Sequence, residues 1–152
     1  KDGQVYAIGL NGWNGGGRRG LSQGHLHRFR YTGSPARLLS DVQVKKDGIE
    51  LSFNFKLDPD SANEPDRYVI EQWDYKWTGG YGSREYLPGT DKRGREKVRI
   101  DKVTIGPDKQ SVHLAIKGLK PVNQVKIGLN LESADGKAFE DLAYLTINRI
   151  PK

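Results

Sequence analysis

The chain contains no cysteine, which excludes disulfides, thiolate catalysis and thiolate metal ligation within it. Nor does any apolar run reach the roughly 18 to 20 residues a membrane-spanning helix needs. The opening KDGQVYAIGL lacks a signal-peptide apolar region and reads directly as a strand, the pattern of a piece of a longer protein. No GxSxG, HExxH or GxxxxGK[ST] occurs, and neither does an RNP-like strand, a helix-turn-helix pattern or a basic helix. The run DKRGREK (91–97) is broken by Gly94 and carries Asp91 and Glu96 among its bases. Neither nucleic acid nor membrane is expected as a partner.

The chain does have 35% hydrophobic residues and nineteen glycines spread over 152 positions, with a net charge of +6. This suits a folded, turn-rich β protein with one main core and an appendage. The positive charge serves solubility or draws the domain to polyanions.

Alternation sets the fold class. In GIELSFNFKL, Ile49, Leu51, Phe53, Phe55 and Leu57 share one face, while Glu50, Ser52, Asn54 and Lys56 share the other. SVHLAI, QVKIGLNL and AYLTI repeat the pattern through Val112, Leu114 and Ile116, then Val125, Ile127, Leu129 and Leu131, then Ala143, Leu145 and Ile147. In KVRIDKVTI the apolar set moves from Val98 and Ile100 to Val103 and Ile105, as a bulge or a change of sheet requires. Asp47-Gly48 and Asp135-Gly136 suit positive-φ hairpin corners, and PDSANE is the single helical candidate. These short strands predict an all-β, antiparallel Greek-key sandwich of immunoglobulin-like or fibronectin III-like type over residues 34–152. Residues 1–33 are expected to form a β-hairpin extension around the glycine-rich NGWNGGGRRGLSQG, ending at the linker TGSPAR.

EQWDYKWTGGYGSREY (71–86) concentrates two of the three tryptophans and three of the seven tyrosines. Trp73, Tyr75 and Trp77 are two apart, so a regular strand would send their rings to one face over about 13 Å. Such a row can stack sugar rings, with Gln72, Asp74 or Arg84 meeting the hydroxyls. It can equally fill a core, Trp73 above all, because a third-strand Trp is a landmark of immunoglobulin-like domains. Tyr68 and Ile70 have the opposite phase from Trp73, so one set must point outward unless a bulge intervenes. Trp77, Tyr81 and Tyr86 border the flexible TGGYGS and read either as ligand platforms or as local packing. Trp13, beside Arg18 and Arg19 in the glycine-rich loop, reads as part of a site for a glycan or an acidic group, or as an anchor to a neighbouring domain.

Enzyme chemistry finds little footing. His25 and His27 share a strand face and His113 lies on another strand, but two-apart strand histidines are the pattern of solvent-facing side chains. The carboxylates Asp58, Asp60, Glu64, Asp66, Glu71 and Asp74 lack EF-hand spacing. No catalytic residue, metal site or cofactor is expected.

DGQVYAIGLNGW with HRFRYTG, then YVIEQWDYKWTGGYGSREY, LKPVNQVKIGLNL and YLTINRI, resembles the region downstream of a β-propeller in large exported bacterial proteins. Those proteins are similar to sugar or sorbosone dehydrogenases fused to c-type cytochrome or haem-binding domains, as in planctomycetes and their relatives. The resemblance implies last-blade propeller strands in residues 1–33 and an immunoglobulin-like domain after them. It also implies a secreted, periplasmic or cell-surface location. No propeller cofactor site or CxxCH lies in the chain, so any redox chemistry of such a parent resides outside it. The expected role is a non-catalytic carbohydrate-binding accessory module whose partners are a polysaccharide or oligosaccharide and the other domains of its parent. The alternative is a structural module packed against a propeller or haem domain.

Overall fold

The computed structural model describes residues 4–11, 19–20 and 24–152, which divide into two compact units, the chain passing from one to the other after Ala36. The first is an antiparallel hairpin of β1 (Val5–Leu10) and β2 (Gly24–Phe29). Val5 pairs with Phe29 and Ile8 with Leu26 on opposite faces, and all four side chains are exposed.

The second unit is all-β and sandwich-like. One sheet has the order β3 (Leu39–Lys45), β4 (Gly48–Phe53), β8 (Ser111–Ala115), β7 (Lys102–Ile105). The other has the order β10 (Ala138–Ile147), β9 (Val122–Glu132), β5 (Tyr68–Trp73), β6 (Glu96–Val98). Every pairing is antiparallel. Ile49, Leu51, Val112 and Leu114 from one sheet share a single core with Ile70, Val125, Ile127 and Leu129 from the other. The alternating residues read from the sequence are therefore the inner rows of two facing sheets.

Phe55 lies just past the end of β4, yet its ring packs on Phe53 and Phe139 at centroid distances of 5.6 and 5.0 Å. The phase change in KVRIDKVTI is a change of sheet: Val98 pairs with Ile70 in one, and Val103 pairs with Leu114 in the other. The PDSANE helix is a single turn, α1 (Pro59–Ala62), capped by the Asp58 carboxylate accepting from Ser61 N–H at 2.8 Å. Tyr68 closes this corner by donating its buried hydroxyl to the Ala62 carbonyl at 2.7 Å.

One hairpin expectation needs correction. Gly136 has φ +74, as its turn demands, but Gly48 has no left-handed φ and lies inside β4. Gly48 is required for space: a Cβ there would stand 2.0 Å from the Leu114 carbonyl oxygen.

Candidate functional site

β5 stops at Trp73, and residues 74–95 form a long excursion before β6. Asp74 anchors its start to the sheet. Its carboxylate accepts from Asn123 N–H at 3.0 Å and from Gly89 N–H at 2.9 Å, while its backbone pairs with Tyr86. Tyr75 N–H donates to the Asn123 side-chain oxygen at 2.9 Å, and Lys76 N–H donates to Ser83 Oγ at 2.8 Å. These bonds cinch a neck between residues 76 and 83, so residues 77–82 project as a tip.

A clasp holds the other side. Arg95 lies over the Trp73 ring, 4.1 Å from its centroid, and grips Glu85 through Nε and Nη2 at 2.7 Å each. Its Nη1 donates to Glu71 at 3.2 Å, with Lys126 at 3.9 Å from the same carboxylate. The Arg95 hydrogen bonds hold the Glu85 carboxyl below the usual carboxylate range. Because the folded value is depressed, the clasp's contribution is present above the usual carboxylate range and is lost as pH falls through the lowered Glu85 value. Acidification through that window should therefore cost the wild type more thermal stability than Glu85→Gln loses over the same titration. Trp73 fluorescence should change with it. Identical pH profiles for the two proteins would remove Glu85 from the account. Glu96, lowered by the Gln72 amide and Lys120, and Asp135, lowered by Ser133 and Arg37, titrate in both proteins and cancel in the comparison.

The predicted site residues separate under this geometry. Trp73 is only 2% exposed, yet it is not part of the core between the sheets. It faces outward, opposite in phase to Tyr68 and Ile70, and its burial comes from Arg95 and from the Tyr75 ring, edge-on at 6.4 Å. Its assignment to the sandwich core is corrected on the phase rule, and its assignment to a ligand surface is corrected because the ring is covered. The row of three accessible rings does not form, since regular strand geometry ends at Trp73. Tyr86 is half-buried with the Lys76 ammonium 4.6 Å from its ring centroid, so its ring is already engaged in local packing.

Trp77 and Tyr81 are different. They are 101% and 110% exposed, and Tyr75 beside them is 44% exposed. With Asn123, Gln124 and Thr146 these rings line an open concavity of about 630 Å3. Arg84 is exposed at the neck. Arg19 is exposed in the hairpin unit, whereas Trp13 and Arg18 lie outside the described residues.

Asn123, Gln124 and Thr146 come from β9 and β10, distant in sequence, and were not foreseen as lining residues. Thr146 donates its hydroxyl to the Asn123 carbonyl at 2.8 Å, fixing the floor. A larger concavity of about 730 Å3 lies elsewhere on the same sheet, between Val69, Gly128 and Leu142, with Asp66 and Glu140 at its border. No aromatic ring lines it, so it offers no stacking surface.

His25 and His27 do share a face, with ring centroids 5.8 Å apart, but both belong to the hairpin unit. His113 belongs to the sandwich unit and has Nε2 at 3.3 Å from the Asp47 carboxylate. Among the described residues no group of three His, Asp or Glu side chains is arranged to hold a metal ion.

Comparison with protein-family models, with curated proteins and with solved structures finds no match to this chain.

Proposed function

We propose that the chain is a non-catalytic carbohydrate-binding module that stacks sugar rings on Trp77 and Tyr81. The observation that carries this reading is the full exposure of both rings on a tip whose neck is tied by hydrogen bonds. Leaving such a ring in water forgoes about 2–3 kcal/mol of burial free energy. The tied neck holds the ends of the tip, and the rings present apolar faces to a ligand. Tyr75 extends the platform, while Asn123, Gln124 and Thr146 supply amide and hydroxyl groups suited to sugar hydroxyls. The strand order β3-β4-β8-β7 against β10-β9-β5-β6 supports an immunoglobulin-like reading of the scaffold. An exported multidomain parent is part of the same proposal.

The exposed apolar pairs on both faces of the β1–β2 hairpin favour a second reading, in which the chain is a structural module bound to another domain. Affinity electrophoresis against a panel of neutral and acidic polysaccharides, at low and moderate salt, separates the two. Glycan binding predicts retardation by at least one polysaccharide that persists when salt is raised, because stacking is not screened. Absence of retardation across the panel would reject it in favour of the structural module.

A further inference from the structure

We infer that the glycan taken by this loop is anionic, its carboxylate or sulfate groups met by Arg84, Lys92, Arg93 and Lys97; this rests on the carbohydrate-binding reading above. The pairing of charges in residues 76–97 leads to it. The acids of this stretch are Glu85, Asp91 and Glu96. Each is already engaged: Glu85 by Arg95, Asp91 by Lys76, and Glu96 by Lys120 at 3.1 Å and the Gln72 amide at 2.8 Å. The four remaining bases of the stretch, Arg84, Lys92, Arg93 and Lys97, are exposed and make no ion pair among the described residues.

Their placement is fixed by the same framework that presents the rings. Arg84 follows Ser83, whose hydroxyl ties the neck below Trp77 and Tyr81. Arg93 is bridged directly to Tyr86, the Lys92 carbonyl accepts from Leu87 N–H at 2.8 Å, and Lys97 sits opposite Glu71 in the ladder. Arg84, Lys92 and Arg93 lie on the excursion and Lys97 on the strand that follows it, and an incoming anion meets these charges unpaired. Guanidinium forks such as those of Arg84 and Arg93 suit carboxylate and sulfate, which they bind through paired hydrogen bonds. The larger concavity on the same sheet has Asp66, Glu140 and Asp141 at its border, and its one base, Arg67, is paired with Glu64 and Glu132, so an anionic polymer is directed to the loop and away from that surface. Glu85, Asp91 and Glu96 alternate along the chain with the free bases, so the positive charge of the stretch is discontinuous. Spaced acidic groups on a sugar polymer fit such a field better than the unbroken charge of a phosphate backbone.

The test uses the full chain and two matched pairs of probes: polygalacturonate with its carboxyl-reduced form, and dextran sulfate with dextran. The binding constants are measured at about 0.15 M salt, where exposed charges are screened beyond about 8 Å. At least one acidic member is expected to bind about tenfold or more tightly than its neutral partner, the pair concerned identifying carboxylate or sulfate. The double variant R84Q/R93Q should lose about tenfold for the acidic polymer. K46Q/K102Q removes the same charge from the other sheet and should lose little. Equal binding of acidic and neutral partners overturns the anionic inference and leaves the carbohydrate reading standing. Equal losses in the two double variants also overturn it, because net charge would then be the cause. So does single-stranded oligodeoxythymidine binding as tightly as the acidic glycans. Failure to bind any of the four polysaccharides overturns the anionic inference, while the carbohydrate reading falls only if the whole neutral and acidic panel fails to retard the chain.

Discussion

Replacing Trp77 and Tyr81 together by alanine should lower the affinity for the retained polysaccharide by about ten- to a hundredfold, on the order of 0.7–1.4 kcal/mol for each stacked ring. Thermal unfolding should hardly move, because exposed substitutions away from caps and turns usually stay within about 0.5 kcal/mol. The two side chains are 101% and 110% exposed and touch no part of the core cluster. The neck beneath them is made by the Lys76 backbone and the Ser83 hydroxyl, neither of which the substitutions alter. Trp73→Ala is not an equivalent experiment. It removes a buried ring from under Arg95 and disturbs the clasp with Glu85 and Glu71. Unchanged retardation of the folded Trp77→Ala, Tyr81→Ala protein by the polysaccharide that retains the wild type would end the stacking proposal. Both rings would then be anchors for a neighbouring domain.

The largest stability effect is expected from Gly48→Ala, about 3 kcal/mol and a fall in unfolding temperature on the order of 10 °C. The added Cβ would lie 2.0 Å from the Leu114 carbonyl oxygen, 2.9 Å from its carbon and 3.1 Å from Ala115 Cα. All three are backbone atoms of the neighbouring strand, so no side-chain rotation relieves the clash. β4 lies between β3 and β8, and Gly48 pairs with Lys45 on one side and Ala115 on the other. Displacing it therefore strains both ladders and shifts Ile49, which is fully buried next door. Calorimetric or denaturant unfolding decides the matter, and an unchanged midpoint would show that the strands separate there at negligible cost. The observation matters for function as well, because the same core supports the sheet from which the aromatic excursion departs.

Much of the framework was legible because a strand writes its two faces into a period of two. Ile49, Leu51 and Phe53, or Ile127, Leu129 and Leu131, are inward as their spacing requires. The change of phase between Ile100 and Val103 likewise announced the passage from one sheet to the other. The same rule held at Trp73, where the family landmark pointed to the core and the phase against Tyr68 and Ile70 pointed out of it. Gly48 shows the limit of a turn signal: Asp-Gly read as a positive-φ corner, but the glycine answers to a carbonyl contributed by a strand far along the chain.

The chain's own order of residues determined the strand-rich character, the short helical turn after Asp58 and the concentration of aromatics between residues 73 and 86, since each depends on neighbours within a few positions. Tertiary structure decided which of those rings a ligand can reach. Arg95 covers Trp73 and Lys76 covers the face of Tyr86, while Asn123, Gln124 and Thr146 from later strands complete the concavity beside Trp77 and Tyr81. Local sequence fixes the side of the strand from which a ring leaves. Whether that side is then covered depends on residues brought there by long-range pairing, and no local periodicity carries that information.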